Sequence, residues 1–229
     1  MAFNGFPAET VKFLAALEKH NDRPWFQANK ARYEQFVRAP ALAFIEAMGP
    51  RLEKISLFID ADPSPNGGSL RRIYRDTRFG GDKQPYKTNI GIQFRHERGG
   101  DIHAPGFYVH VDPKEFFICC GMWRPDSATL AAVRTRIAER PDAWKLARDD
   151  KAFVKTWGTL TGDRLSRPPR GFDPAGPYIE DIKFKDYLGL VDLPREQLAS
   201  PKLPDVIAKK LATGSPLMKF LCDALGLPY

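Results

Sequence analysis

The side chains with most to offer chemically are concentrated in one short run. Arg71-Arg72-Ile73-Tyr74-Arg75-Asp76-Thr77-Arg78-Phe79 is followed, past two glycines, by Asp82-Lys83-Gln84-Pro85-Tyr86-Lys87-Thr88-Asn89. Six cations against Asp76 and Asp82 leave this run at +4, out of +7 for the whole chain. Arginine presents a planar fork of donors that matches carboxylate or phosphate oxygens, and lysine presents a compact point charge. The run therefore reads as a site for an anion. Arg72, Arg75, Arg78, Lys83 and Lys87 would hold the charge, and Tyr86, Asn89 and Tyr108 would orient the molecule. Arg124 would reach in from the end of a later strand. The plainer alternative is a solvated basic edge strand, because charge also protects exposed edges.

His110-Val111-Asp112 puts an imidazole and a carboxylate on one face of a strand. This spacing is that of the HxD element of iron-dependent oxygenases, which need a second histidine well downstream. The histidines here are His20, His96, His103 and His110, and none follows position 110, so no metal is expected. His110 is then the attractive proton-transfer group, provided its face lines the cleft. Gly80-Gly81-Asp82-Lys83 lacks phosphate-loop spacing, no GxGxxG opens a helix, and no GxSxG elbow is present. No cofactor is expected.

The elements that must position these groups follow from periodicity. Pro7 suits a first helical turn, with Phe13, Leu14 and Leu17 on one face before His20-Asn21 ends the element. Asp22 can cap the next helix, with Pro24 in its first turn. Ala39-Pro40 should interrupt the helix, and a third should run through Leu42, Ile45, Met48, Leu52 and Ile55, kinked at Gly49-Pro50. The period then changes to two. Ile90, Ile92 and Phe94 alternate with polar neighbours, and so do Phe107, Val109 and Val111. Phe116 to Met122 is a continuous apolar run, and Asp112-Pro113-Lys114 reads as the hairpin turn before it. Three antiparallel strands result, with the alternating residues and Phe117 expected in the core.

Helices return at Ser127–Arg140 and Asp142–Asp149. Arg167 to Pro174 is too proline-rich for regular structure, and Ile179 to Val191 fits either a helix or a strand. Two C-terminal helices follow, around Pro204–Leu211 and Pro216–Leu225, the latter with Ser215 as N-cap and Gly226 as C-cap. Helices, then strands, then helices predict a single α+β domain over residues 1–229: an antiparallel sheet of at least three central strands packed with N-terminal and C-terminal helices. Adjacent Cys119 and Cys120 point to opposite strand faces and cannot bridge each other, and Cys222 lies in a helix, so the three read as buried apolar groups. A hydrophobic content of 43% excludes global disorder. With no apolar run of spanning length and no secretory signal, a soluble cytoplasmic protein without a membrane partner is expected.

Several motifs also resemble a known family. The run from Arg72 to Gly91, Gly106-Phe107-Tyr108-Val109-His110-Val111-Asp112-Pro113, Cys120-Gly121-Met122-Trp123-Arg124-Pro125, Asn21 to Glu34 and Arg167 to Pro174 are similar to domain-of-unknown-function family 2461. The match spans nearly the whole chain. Gly80-Gly81 departs from the serine-lysine type pair expected there, and Cys119-Cys120 from small residues. The resemblance implies a single-domain cytoplasmic protein and brings no catalytic residues with it. The residues themselves suggest two functions: a cleft for a phosphorylated or carboxylated small molecule, or a non-catalytic binder of nucleic acid or acidic protein. Convergent side chains in a concave site favour the first; a flat basic stripe through Arg95, Arg98, Arg167 and Arg170 favours the second.

Overall fold

The computed structural model describes residues 2–64, 67–76, 84–98 and 104–229. The helix α1 (Ala8–Lys19) buries Phe13, Leu14 and Leu17. In α2 (Arg23–Ala28), the Asp22 carboxylate accepts the Trp25 amide at 2.8 Å, satisfying a first-turn donor that the helix cannot. The expected break at Ala39-Pro40 does not occur. The helix α3 (Lys30–Tyr33) passes through a π-helical turn, Glu34–Arg38, directly into α4 (Ala39–Leu52). The wider turn places Pro40 in the first turn of α4, where a missing amide donor costs little. Pro50 sits inside α4, two residues from its end.

The sheet is a four-stranded antiparallel meander in the order β1 (Ile90–Arg95), β2 (Gly106–Val111), β3 (Phe116–Met122), β4 (Tyr187–Asp192). The three expected strands are present. The ambiguous stretch divides into a short helix, Ile179–Ile182, and the fourth strand. Between β3 and β4 run α5 (Ser127–Glu139), α6 (Pro141–Arg148) and α7 (Lys151–Trp157), with Ile179–Ile182 as α8; α9 (Leu203–Ala212) and α10 (Ser215–Ala224) close the fold. The last helix is capped one residue earlier than expected, by Gly214, and the Ser215 hydroxyl bonds to that of Tyr229 at 3.1 Å instead. Among the described residues no helix is long and apolar enough to cross a membrane.

Helices α4, α7 and α10 pack against β1, β4 and β3, all toward one face of the sheet. Ile90, Ile92 and Phe94, Phe107, Val109 and Val111, and Phe116, Ile118, Cys120 and Met122 fill that interface. Phe117 does not join them. It is half-buried on the opposite face, because its neighbour Phe116 takes the core position and strand side chains alternate. Gly121 has φ +119°, and a Cβ there would lie 1.9 Å from the Tyr187 carbonyl oxygen, so β3 and β4 can pair at this point only through glycine. His96 is fully buried. Its Nε2 meets the Pro228 carbonyl at 2.7 Å, its Nδ1 accepts the Arg98 amide at 3.1 Å, and its ring stacks on Phe58.

The two faces should separate under mutation. Phe107→Ala is expected to cost about 3–5 kcal/mol as a core truncation, and Phe117→Ala less than half of that, measured by denaturant unfolding.

Candidate functional site

The register aligns three rows of side chains across the face opposite the helices. Gly91, His110, Phe117 and Asp192 form one; Gln93, Tyr108, Cys119 and Leu190 the next; Arg95, Gly106, Gly121 and Leu188 the third. Beside β1, Ser69 to Arg71 acts as a short fifth strand. The Arg71 amide donates to the Gly91 carbonyl and the Gln93 amide to the Ser69 carbonyl, both at 2.8 Å. Leu70 bridges Ile92 on the core side, so Arg71 falls beside Gly91 on the open side. The chain then doubles back: Tyr74 bridges Tyr86, and the Lys87 amide reaches the Ile73 carbonyl at 2.7 Å. This return brings Lys87 beside the arginines before the chain enters β1.

Two cavities result. One, of about 630 Å³, lies on the sheet face over Tyr108, His110, Phe117, Cys119, Leu188 and Leu190. The other, of about 920 Å³, is a groove lined by Arg71, Arg72, Arg75, Lys87 and Arg95, with Asp76 as its acidic member. Arg71, Lys87 and Gln93 line both, so the two adjoin. Burial first, then Arg71, Arg72 and Arg75, hold the Lys87 ammonium below the ordinary lysine range. Among the described residues no carboxylate forms an ion pair with Arg71, Arg72 or Lys87. Arg71, Arg72 and Lys87 thus converge with no carboxylate partner among the described residues, a disposition that an anion would relieve.

His110 is held from behind. Its Nε2 lies 3.1 Å from Asp112 Oδ2, and its ring stacks on Phe117 with centroids 4.5 Å apart and planes 5° from parallel. Asp112 Oδ1 accepts the Lys114 and Glu115 amides, both at 2.6 Å, so the same carboxylate locks the β2–β3 turn. Burial opposes ionisation of Asp112, but the Glu115 amide, His110 and the Lys114 amide outweigh it and hold the acid below its usual value. An ionised Asp112 takes the Nε2 hydrogen and leaves the Nδ1 lone pair free to accept. Around Nδ1 stand Asn89 Nδ2 at 3.4 Å and the Tyr108 hydroxyl at 3.5 Å. Both contacts are long, so an incoming donor could displace them. Burial pushes the Tyr108 hydroxyl up to about 12, which keeps it protonated at neutral pH. Tyr108 lies over Gly91, where a Cβ would come within 2.5 Å of the hydroxyl oxygen.

The sequence-predicted residues divide accordingly. Arg72, Arg75 and Lys87 line the basic groove, and Lys87, Asn89, Tyr108 and His110 line the sheet-face cavity. Tyr86 turns away: it is 2% exposed, stacks on Phe26 at 4.1 Å, and has its backbone bracketed by the Asn21 amide at 2.9 and 3.0 Å. Arg124 lines neither cavity. It adopts φ +48° and lays its guanidinium 4.8 Å above the Trp123 ring at the cavity rim, while its amide donates to Asp186. Arg78, Lys83 and His103 lie outside the described residues. Sequence reasoning missed Arg71 and the apolar wall of Phe117, Cys119, Leu188 and Leu190. Arg71 was recoverable from parity once Ser69 to Arg71 is recognised as an edge strand.

The expectation of no metal rested on a missing second histidine, and the β2–β3 turn supplies a carboxylate in its place: His110, Asp112 and Glu115 present ligand atoms within 4.8 Å of one another. Burial pushes the Cys119 thiol up to about 12, which makes it an apolar floor rather than a nucleophile at neutral pH.

A family model described as "Conserved hypothetical protein (DUF2461)" matches residues 9–220 of the chain. No curated protein and no solved structure matches it.

Asp112→Asn keeps a side-chain oxygen for the turn and removes the charge from His110. Nitrogen-15 spectra should show the neutral ring as the Nε2–H tautomer in the native protein and as a mixture in the variant. Because the folded Asp112 value lies below 3.8, its stabilisation is present above that pH and is lost as the pH falls through the folded value; the variant should lack this acid-side loss. Elemental analysis of protein purified without a histidine tag should find no stoichiometric transition metal. Metal that disappears on His110→Ala would reverse that expectation.

Proposed function

The chain belongs to the DUF2461 family, a membership that carries no activity with it, and we propose that its groove binds a small phosphorylated or carboxylated molecule. The observation carrying this reading is Lys87, half-buried among Arg71, Arg72 and Arg75 with its charged form disfavoured. An anion seated there neutralises like charges whose repulsion is already part of the folded state, and it meets bidentate donors at once. Concavity favours a small molecule over a nucleic-acid strand, and of the wider basic stripe only Arg95 lines the groove, while Arg98, Arg167 and Arg170 line neither cavity.

His110 supplies the means of proton transfer beside that anion. Asp112 fixes its orientation and stabilises the imidazolium that would form, and Nδ1 lies beside Asn89 and Tyr108, which line the cavity. A substrate proton brought to Nδ1 would take the place of the long contacts to Asn89 and Tyr108.

Lys87 generates the test. Its folded pKa lies below 10.5, so its charge costs stability below that folded value and the cost is relieved as the pH rises through it. Binding of an anion reverses the preference and should draw in protons at alkaline pH, with affinity falling as the pH rises through the free-state value. At low salt, a matching phosphate or dicarboxylate at a hundred times its Kd should raise the melting midpoint by about 5–10 °C. Lys87→Met should raise the ligand-free midpoint and abolish the ligand shift, as should Arg71→Gln for the shift alone. A shift that survives both variants, or oligonucleotide binding with a steep salt slope and no small-anion shift, would overturn the proposal.

A further inference from the structure

The sheet-face cavity is graded in polarity. Toward β1 and β2 it presents Asn89, Gln93, Tyr108 and His110, with Arg71 and Lys87 at the mouth of the basic groove. Toward β3 and β4 its side chains are Phe117, Cys119, Leu188 and Leu190, with Trp123 half-exposed at the rim. The Cys119 thiol is buried and uncharged at neutral pH, and Leu188 and Leu190 are half-buried. A ligand consisting only of an anionic group would occupy the basic end and leave water against this apolar wall. Building on the anion reading above, we infer that the natural occupant is amphipathic: one phosphate or carboxylate held by Arg71 and Lys87, joined to an apolar portion lying across β3 and β4.

The dimensions fit. Crossing from β1 to β4 spans three strand spacings, about 14 Å, which suits a medium-length alkyl or acyl chain in a cavity of about 630 Å³. Charge complementarity fixes its direction, head toward Arg71 and Lys87 and tail toward Trp123. The tail passes over Tyr108 and Phe117, so the first bonds beyond the head lie nearest His110, the group able to move a proton.

Calorimetric titration of the full chain with inorganic phosphate and with butyl, hexyl, octyl and decyl phosphate, each kept monomeric, tests this directly. Affinity should rise about fourfold per added methylene until the cavity is filled, and the n-alkanol of equal length should bind far more weakly. Leu190→Asn, with Leu188→Asn as a second variant, should flatten the chain-length dependence while leaving inorganic phosphate unaffected. Lys87→Met should weaken every phosphate by a similar factor, one large enough to remove the melting shift. Equal binding of inorganic and octyl phosphate would overturn the amphipathic inference and leave the anion site standing. Equal binding of octyl phosphate and octanol would overturn the anion site on which it rests. A chain-length dependence untouched by both leucine variants would place the tail elsewhere and end the inference, and absence of binding by every probe would end both.

Discussion

The structure depends on the strict alternation of side chains along strands whose sheet is packed by helices on one side. Every second residue of the four strands is committed to the core, and none of those positions can serve a ligand without opening a hole. The intervening residues are released from packing against helices and are free to be polar, aromatic or small. Gly91 shows how far the release goes. It gives up a side chain so that Tyr108 can lie across β1 and bring its hydroxyl toward His110.

The segment beside β1 adds what the sheet lacks. A sheet face has little net dipole of its own, so the charge of the site must be imported by a neighbouring segment. Ser69 to Arg71 pairs along β1 and the returning strand brings Lys87 alongside, so backbone hydrogen bonds set the spacing of cations that would otherwise separate. Folding stability and charge placement pull against each other here. The strained electrostatics are tolerable because the large core on the opposite face supplies the stability.

Much of this was legible in the residues. Alternation in Ile90 to Arg95 and Gly106 to Val111 is clear because one side of each strand is polar, and Asp22 with Pro24 marks the start of α2. The basic run, His110 and Asp112 were visible from residue type alone. Other features were hidden for physical reasons. Phe116-Phe117 gives no sign of which ring enters the core. Tyr187 to Val191 is apolar on both faces because one face meets helices and the other walls a cavity, so the alternation that identifies a strand is erased. Tyr86 and Arg124 carry suitable groups, but an aromatic cluster and a tryptophan face claim them, and such claims are made by residues distant in sequence. Pro40 breaks nothing because a π-turn shifts where the next helix begins.

Trp123 gives the site a property of a different kind. It is 50% exposed at the cavity rim with Arg124 stacked on it, whereas Trp144 and Trp157 are buried at 0% and 3%. With the half-buried Trp25 replaced by phenylalanine, the red edge of the emission spectrum reports on this rim, while the blue edge reports on the interior. Ultraviolet fluorescence of that unlabelled variant thus carries two separable signals, one following the state of the cavity mouth and the other the integrity of the core.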